Sequence, residues 1–195
     1  GNENRVFVPY DSISSHVFDA LIATEDVRFL DHSGIDGRAL ARAIIKTGLM
    51  GQKEAGGGST ITQQLAKQLY SSRAESVGER LLQKPVEWAI AVELEKQFTK
   101  KEIMTLYLNY FDFLYNAVGI RTAAKVYFNK HPKDLTINEA ALLVGMCKNP
   151  AYFNPVRQPE RTLGRRNTVL EQMEKAGYLI SYAGIIMAIA FSGLF

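Results

Sequence analysis

The amino-acid sequence predicts an all-α fold of eight or nine helices. Apolar residues recur every three or four positions along most of the chain, which is the spacing of one face of a helix. Two capping boxes, Thr99-x-x-Glu102 and Thr136-x-x-Glu139, come directly before such apolar runs. Hydrophobic residues make up 47% and charged residues 22% of the 195 residues, so the chain can form a domain with a buried core. Only residues 6–8 resemble a strand.

The first half of the chain predicts three helices around a glycine-rich loop. Residues 14–24 place their apolar side chains on one helix face. Asp36 opens the second helix, and Gly48 is expected to end it. A glycine-rich loop is expected over residues 50–58, and the third helix is expected to begin near Thr60.

The second half is also predicted to be helical. Residues 79–98 form a long amphipathic pattern, and Pro85 is expected to start or kink that helix because proline has no N–H to donate. Further helices are expected at 119–128 and 159–176. The aromatic segment 109–118 has no periodicity, and we expect it to line a groove.

Charge and cysteine content exclude several classes of function. The formal net charge is only +3, which gives no case for nucleic acid but suits an anionic substrate or an anionic lipid surface. The single cysteine, Cys147, lies in an apolar run and is expected to be a buried, inert thiol. The three histidines are far apart in the sequence, which argues against a zinc site.

The two ends of the chain differ in character. The N-terminal residues contain no hydrophobic signal region. Residues 179–195 contain no charged residue, but they are shorter than the ~20 residues of a usual membrane span. This segment can be a membrane-seated segment, a truncated span or a buried helix, and its role stays open. We therefore divide the chain into a domain at 1–178 and an apolar C-terminal segment at 179–195.

The run GGSTITQQLAK at 57–67 is the most specific local motif. Glycines allow a close approach of the backbone to a ligand, and Ser59 or Thr60 can cap a helix whose first N–H groups attract anions. Lys67 lies about two turns into that helix. The motif predicts a phosphate-and-sugar site, and it is not a Walker loop because no Gly-Lys-Ser/Thr follows the glycines.

Two acidic positions are candidates for acid–base chemistry. Glu25 and Asp26 follow an apolar helix face, where partial burial can raise the pKa of a carboxyl group; the alternative is a helix end with a local ion pair. Glu87 lies three residues after Lys84, so the two share a helix face. This pair is either a surface ion pair or part of a cleft in which Lys84 meets an anion.

Five motifs together resemble the peptidoglycan glycosyltransferases of carbohydrate-active family 51. These enzymes include the monofunctional transglycosylases and the N-terminal catalytic domain of class A penicillin-binding proteins. The resemblance covers roughly residues 5–178, and its motifs are ATEDVRFLDHSGID (23–36), GGSTITQQLAK (57–67), QKPVE (83–87), the YLN…GI…AA..YF segment (107–128) and EAALLVG…NP..FNP (139–155). It implies a lysozyme-like large lobe and a small membrane-facing lobe, the jaw.

The resemblance also implies a substrate and a catalytic base. The substrate is lipid II, and the growing glycan chain is the donor, whose MurNAc C1 carries the diphosphate. Glu25 matches the family's catalytic glutamate, which removes the proton from the acceptor hydroxyl in an inverting displacement. Glu87 matches the second family glutamate and would orient the leaving diphosphate, directly or through a divalent cation such as Mg²⁺ or Mn²⁺.

The remaining site residues would bind substrate. Cations must stabilise the diphosphate, and we expect Lys67 and Lys84 to do so, with Arg73 or Arg80 as a third. Ser59, Thr60 and Gln64 would position sugar and phosphate oxygens. Asp26 and His32 would support Glu25 without contacting the substrate.

The sequence departs from the family pattern at several positions. The third motif normally begins Arg-Lys, but Gln83 stands at its first position, and Pro85 is also unexpected there. The usual Phe-Gly-Asn-Gly turn is replaced at residues 113–116, so that loop should differ in shape. Asn129 replaces a glycine, which is mild because asparagine tolerates a positive φ. These changes concern the donor-side contacts, while both glutamates and Lys67 keep the residues of the family pattern.

The resemblance implies partners at the bacterial cell surface. Undecaprenyl keeps lipid II in the bilayer, so the enzyme would work on the outer, extracytoplasmic face of the cytoplasmic membrane. The jaw is expected near residues 37–55 or 70–80, with Leu49 and Met50 as candidate membrane contacts. Residues 154–170 resemble class A proteins, which carry a C-terminal transpeptidase domain and work with cell-wall synthesis proteins. Moenomycin-type inhibitors would occupy the donor site.

Two other functions stay open from the sequence. A lysozyme-like hydrolase shares the expected fold and a single catalytic glutamate, but it has no use for cations around a diphosphate. A non-catalytic module that binds lipid II or a partner protein would fit the altered third and fourth motifs.

Overall fold

The protein folds into α-helices, as the sequence predicts. The computed structural model describes residues 6–50, 58–70 and 77–179, except for the side chains of 46–50 and 77–82. Eight α-helices lie in these ranges: α1 (Ser15–Glu25), α2 (Gly37–Met50), α3 (Ile61–Tyr70), α4 (Val77–Gln97), α5 (Lys100–Tyr110), α6 (Ile120–Phe128), α7 (Ile137–Cys147) and α8 (Pro159–Lys175). Three short 3₁₀ turns, Tyr10–Ser12, Phe29–Asp31 and Pro132–Asp134, complete the helical elements.

The expected strand at residues 6–8 is wrong. This segment forms no strand, because its backbone is bound by a side chain rather than by a neighbouring strand. The Val8 amide donates to Asn109 Oδ1 at 2.8 Å, and Asn109 Nδ2 donates to the Val8 carbonyl at 2.9 Å. One asparagine of α5 therefore fixes the N-terminal segment on the core.

Two expected helix ends are also wrong. Helix α2 continues past Gly48 to Met50, so that glycine does not end it and the loop cannot begin before residue 51. Helix α4 begins at Val77 and passes through Pro85, which therefore does not start it, while the alternative expectation of a kink stays a prediction. Pro85 is exposed, so water can bind the carbonyl that the missing proline N–H leaves without a helical partner.

The core forms where two groups of helices meet. Helix α3 packs against α4 and α5, while α7 packs against both α1 and α8. Ile61 and Leu65 of α3 are fully buried, and each such side chain contributes roughly 1.5–3 kcal/mol by leaving water. Cys147, at the end of α7, is buried as predicted, and this burial raises the pKa of its thiol well above the usual value.

Part of the aromatic segment after α5 is buried in the core. Phe113 is fully buried, with its ring 4.8 Å from that of Phe111, so this residue does not line the groove that we expected. Tyr110 and Tyr115 are exposed, and the groove stays a prediction for them. Residues 114–116 all have φ between 50° and 66°, and the turn is closed by the Ala117 amide, which donates to the Leu114 carbonyl. The loop thus takes a left-handed conformation without the glycines of the family pattern.

Asn129 has the left-handed backbone conformation that the sequence predicts. It follows α6 with φ 53° and ψ 37°, in the left-handed region, and its amide donates to the Lys125 carbonyl. Asparagine tolerates this conformation better than most residues, so the replacement of the family glycine is accommodated.

Both predicted capping boxes are present, and that of α7 gives a test of helix stability. The Thr136 side chain accepts from the Glu139 amide, and Glu139 accepts from the Thr136 amide. We expect Thr136→Ala to lower the free energy of unfolding by about 1 kcal/mol, because a helix N–H loses its acceptor. Thr136→Ser keeps the oxygen and should match wild type in urea unfolding. Equal midpoints for the alanine and serine variants would contradict this role.

The predicted small lobe and C-terminal segment fall partly or wholly outside the described residues. Residues 51–57, 71–76 and 180–195 are not described, nor are the side chains of Leu49 and Met50. Among the helices that the structure describes, none combines the length and the apolar character that crossing a membrane requires. The jaw, its membrane contact and the role of 179–195 stay predictions.

Candidate active site

Glu25 ends α1 and lies in the wall of a cavity. The cavity has a volume of about 300 Å³, and Asp26, Ser59 and Thr60 line it together with Glu25. The Glu25 side chain is 13% exposed, so it is largely withdrawn from water but still reaches the cavity. Such a carboxylate is available to a bound molecule and is held by its protein neighbours.

Two side chains from distant helices hold the Glu25 carboxylate. Gln64 Nε2 of α3 donates to Glu25 Oε2 at 3.0 Å. Arg165 of α8 lies on the other oxygen, with its NH2 group 3.7 Å from Glu25 Oε1. The Glu25 carboxylate therefore has a cation beside it and is held in a fixed orientation.

Arg165 is a site residue that sequence reasoning missed. It lies in α8, whose many charged residues predict a solvent-exposed helix, yet the Arg165 side chain is only 10% exposed. Burial lowers the pKa of its guanidinium, and the nearby Glu25 carboxylate opposes that shift. Gly145 of α7 makes room for it, since a Cβ there would lie 3.1 Å from Arg165 Cγ. The spacing of 140 residues between Arg165 and Glu25 gave no signal of this contact.

The Asp26 side chain, at the end of α1, binds the N-terminus of helix α3. Its Oδ2 accepts from the Ile61 amide at 3.1 Å, and both oxygens lie within 3.1 Å of His32 Nε2. Burial raises the pKa of Asp26, while His32 and the Ile61 amide act in the opposite direction. The helix start that we expected to bind a substrate anion thus already binds a protein carboxylate. Asp26 and His32 contact each other, and their support of Glu25 stays a prediction.

Three consecutive residues tie the start of α3 to its surroundings. Thr60 Oγ1 donates to the Gly34 carbonyl at 2.7 Å and accepts from the Gln63 amide at 3.1 Å, which makes Thr60 the helix cap. Ile61 binds Asp26 through its amide, as described above. Thr62 Oγ1 donates to Glu95 Oε1 of α4 at 2.6 Å. Thr60 is 2% exposed, so its hydroxyl orders the protein beside the cavity.

The acidic groups near His32 do not form a vacant metal site. Asp26, His32 and Asp36 place one ligand atom each within 4.8 Å of one another. However, Asp36 already accepts from the Ala39 amide and from Arg28 through both its oxygens. Burial would raise the pKa of Asp36, but the Ala39 amide and the Arg28 guanidinium outweigh it, and the pKa lies below the usual value. Both carboxylates of the cluster are therefore bound by donors of the protein itself.

Glu87 and Lys84 form a direct ion pair on α4. Lys84 Nζ lies 2.8 Å from Glu87 Oε2, with the glutamate side chain 5% and the lysine side chain 53% exposed. Neither residue lines the cavity beside Glu25. The lysine ammonium thus occupies Oε2 of Glu87, and a cation held by this carboxylate stays a prediction.

The structure describes the other predicted cationic residues to different extents. Lys67 is exposed on α3, one turn after Gln64. Arg73 lies outside the described residues, and Arg80 lies in α4 but its side chain is not described. Ser59 is half-buried beside Thr60 in the cavity wall. The structure thus brings Glu25, Asp26, His32, Ser59, Thr60 and Gln64 together, while Lys84 and Glu87 form a second cluster on α4.

Comparison with known proteins assigns this chain to a family. The profile of the family described as Transglycosylase matches residues 1–174, and the chain belongs to this family. It is 46% identical to penicillin-binding protein 1A of Aquifex aeolicus over 180 residues, which cover 92% of this chain and 24% of that protein. It is 40% identical to penicillin-binding protein 1F of Bacillus subtilis over 177 residues, 91% of this chain and 24% of that protein. Penicillin-binding protein 1A of Escherichia coli is 40% identical over 179 residues, 92% of this chain and 20% of that protein. The chain spans about a quarter of the length of the curated relatives that it matches.

Proposed function

We propose that this chain is a peptidoglycan glycosyltransferase, a hexosyltransferase that polymerises lipid II into β-1,4 glycan strands. The observation that carries the proposal is the placement of Glu25 in a cavity wall, with Gln64 on one oxygen and Arg165 near the other. A carboxylate so held can remove a proton from a bound hydroxyl without reorienting. Membership of the transglycosylase family supports a sugar as the substrate.

The reaction is a single displacement with inversion. Glu25 takes the proton of the acceptor GlcNAc 4-hydroxyl, and that oxygen attacks C1 of the donor MurNAc. The bond from C1 to the undecaprenyl diphosphate breaks, and its electron pair leaves with the diphosphate. Because diphosphate is a good leaving group, it needs cationic stabilisation more than a strong acid.

Lys67 is the cation on which the leaving group should depend most. Gln83 stands where the family pattern has an arginine, and Lys84 is already paired with Glu87. We expect Lys67→Ala to lower the rate of polymerisation on the order of a hundredfold, because developing charge on the diphosphate loses its stabilising partner. Steady-state turnover of labelled lipid II measures this effect.

Lys96→Ala is the matched control for Lys67→Ala. Lys96 is an exposed lysine of α4 that pairs with Glu93, and its loss should leave turnover unchanged. If the Lys67 variant turns over lipid II at a rate close to that of the Lys96 variant, Lys67 does not stabilise the leaving group.

The substrate sets where the enzyme works. The undecaprenyl chain keeps lipid II in the bilayer, so we place the domain on the outer face of the bacterial cytoplasmic membrane. In the whole protein, a transpeptidase domain would follow, as in class A penicillin-binding proteins. Moenomycin-type inhibitors would compete for the donor site. A divalent cation travelling with the diphosphate is part of this proposal only as an ion that the substrate brings.

A lipid II polymerisation assay tests the proposed function. The protein is incubated with labelled lipid II alone, with a chelator, and with a moenomycin-type inhibitor. We expect glycan strands in the first case and none with the inhibitor, while loss of product with the chelator would show a cation requirement. Release of reducing ends from intact peptidoglycan without turnover of lipid II would instead identify a hydrolase. Binding of lipid II without turnover would identify a non-catalytic module.

A further inference from the structure

Glu25 Oε2 receives its hydrogen bond from an amide whose orientation is itself fixed. Gln64 donates from Nε2 to Glu25 Oε2 at 3.0 Å, and Gln64 Oε1 accepts from the Tyr107 hydroxyl at 3.0 Å. The carboxylate can only accept, so it requires the amide nitrogen, and the Tyr107 hydroxyl stabilises the same orientation by donating to the amide oxygen. A rotated amide would place its oxygen against the carboxylate and repel it.

The Tyr107 side chain is fixed by burial, and its hydroxyl remains protonated as a hydrogen-bond donor. It is fully buried in α5, and its ring lies 5.7 Å from that of Phe111. Burial raises the pKa of the Tyr107 phenol, and the nearby Cys147 and Glu25 raise it further, so the hydroxyl keeps its proton. A phenol has a single hydrogen to donate; Gln64 Oε1 lies 3.0 Å from the Tyr107 hydroxyl, and the Cys147 thiol is a second, weaker hydrogen-bonding neighbour of it.

We infer that Tyr107 is a positioning residue for proton transfer, acting on Glu25 through Gln64. The inference rests on the proposed function, in which Glu25 is the base. Tyr107 is separated from Glu25 by the Gln64 side chain, so it directs the carboxylate without touching the substrate. With Gln64 on Oε2, Oε1 is the oxygen that receives the proton, and Arg165 lies 3.7 Å from it.

The Tyr107→Phe variant isolates this role, because it removes the hydroxyl and keeps the buried ring. We expect kcat to fall about tenfold, the effect of one hydrogen bond that no longer orders the amide. KM for lipid II should stay within about twofold, because a residue that orders the base contributes little to ground-state binding. Thermal unfolding of each variant shows whether it remains folded at the assay temperature.

Tyr127→Phe is the matched control. The Tyr127 hydroxyl also donates inside the protein, to the Phe113 carbonyl at 2.6 Å, but it has no contact with Gln64 or Glu25. Its removal should cost stability and leave kcat unchanged. A fall in kcat of similar size in both tyrosine variants would reduce the role of Tyr107 to general stability and would overturn the inference.

A double-mutant cycle with Gln64 gives the decisive result. If Tyr107 acts through Gln64, the Tyr107→Phe/Gln64→Ala double variant has the same kcat as Gln64→Ala alone. Independent, multiplying effects would overturn the inference. Should Tyr107→Phe fail to fold, Gln64→Glu takes its place: it keeps an acceptor for Tyr107 but turns an oxygen toward Glu25, and a near-normal kcat would contradict the proposal.

The outcomes separate this inference from the proposed function. An active wild-type protein with an unchanged Tyr107→Phe variant would overturn only the positioning role. A wild-type protein that does not polymerise lipid II would overturn the function, and the inference with it.

Discussion

Glu25→Gln should abolish lipid II polymerisation, with a loss on the order of a hundredfold to ten-thousandfold in rate. Glutamine has the shape of glutamate and can still offer an oxygen to Gln64, which donates to Glu25 Oε2 at 3.0 Å. It cannot take a proton from the acceptor hydroxyl at neutral pH. The variant should therefore fold normally, bind lipid II and make no glycan strands, as gel analysis of labelled product would show.

Glu93→Gln is the control for the loss of one carboxylate. Glu93 is exposed on α4 and pairs with Lys96, away from the cavity, so its replacement should leave polymerisation at the wild-type rate. Full polymerisation by the Glu25 variant would remove Glu25 from the role of base. Loss of activity in both variants would show that the assay responds to net charge rather than to Glu25.

Gly34→Ala should strongly destabilise the protein. Gly34 has φ +89°, and a Cβ there would lie 2.8 Å from the Ala91 carbonyl carbon and oxygen in α4. The backbone conformation and the overpacking together should cost about 2–5 kcal/mol of the free energy of unfolding. The Gly34 carbonyl also accepts from Thr60 Oγ1, so any shift of this loop should disturb the start of α3 and the cavity.

Gly164→Ala, at a second glycine, should raise the stability of the protein rather than lower it. Gly164 lies within α8, and nothing lies within 4 Å of the position that its Cβ would take. Alanine there should stabilise the protein by roughly 0.5–1 kcal/mol, because it favours the helix. Urea unfolding of both variants tests the pair. A Gly34→Ala midpoint equal to that of wild type would show that α4 can move away without cost.

Most of the fold could be predicted because helix signals are local. The threonine–glutamate boxes at Thr99 and Thr136 mark the starts of α5 and α7, and both form. The errors have tertiary causes that local patterns do not contain. Residues 6–8 read as a strand, but the side chain of Asn109 binds them instead. Pro85 predicts a helix start or a kink, and α4 continues through it on an exposed face.

The site was predictable where its parts are neighbours in the chain. Asp26 and His32 lie six residues apart in one motif, and the structure brings them into contact. The role of the α3 start was not predictable in the same way. A helix N-terminus attracts an anion, but the sequence does not say that the anion is Asp26. Arg165 and Tyr107 reach the Glu25 region from α8 and α5, and no spacing rule connects helices so far apart in the chain.

The stoichiometry of lipid II turnover tests the central claim most directly. In the proposed reaction, Glu25 transfers the acceptor proton while one C1–O bond forms and one diphosphate leaves. One undecaprenyl diphosphate should therefore be released for each glycosidic bond formed, and no free reducing end should be produced by water. Both quantities can be counted in one incubation of the wild-type protein with labelled lipid II. Release of the diphosphate without growth of glycan would show water as the acceptor and would contradict the account.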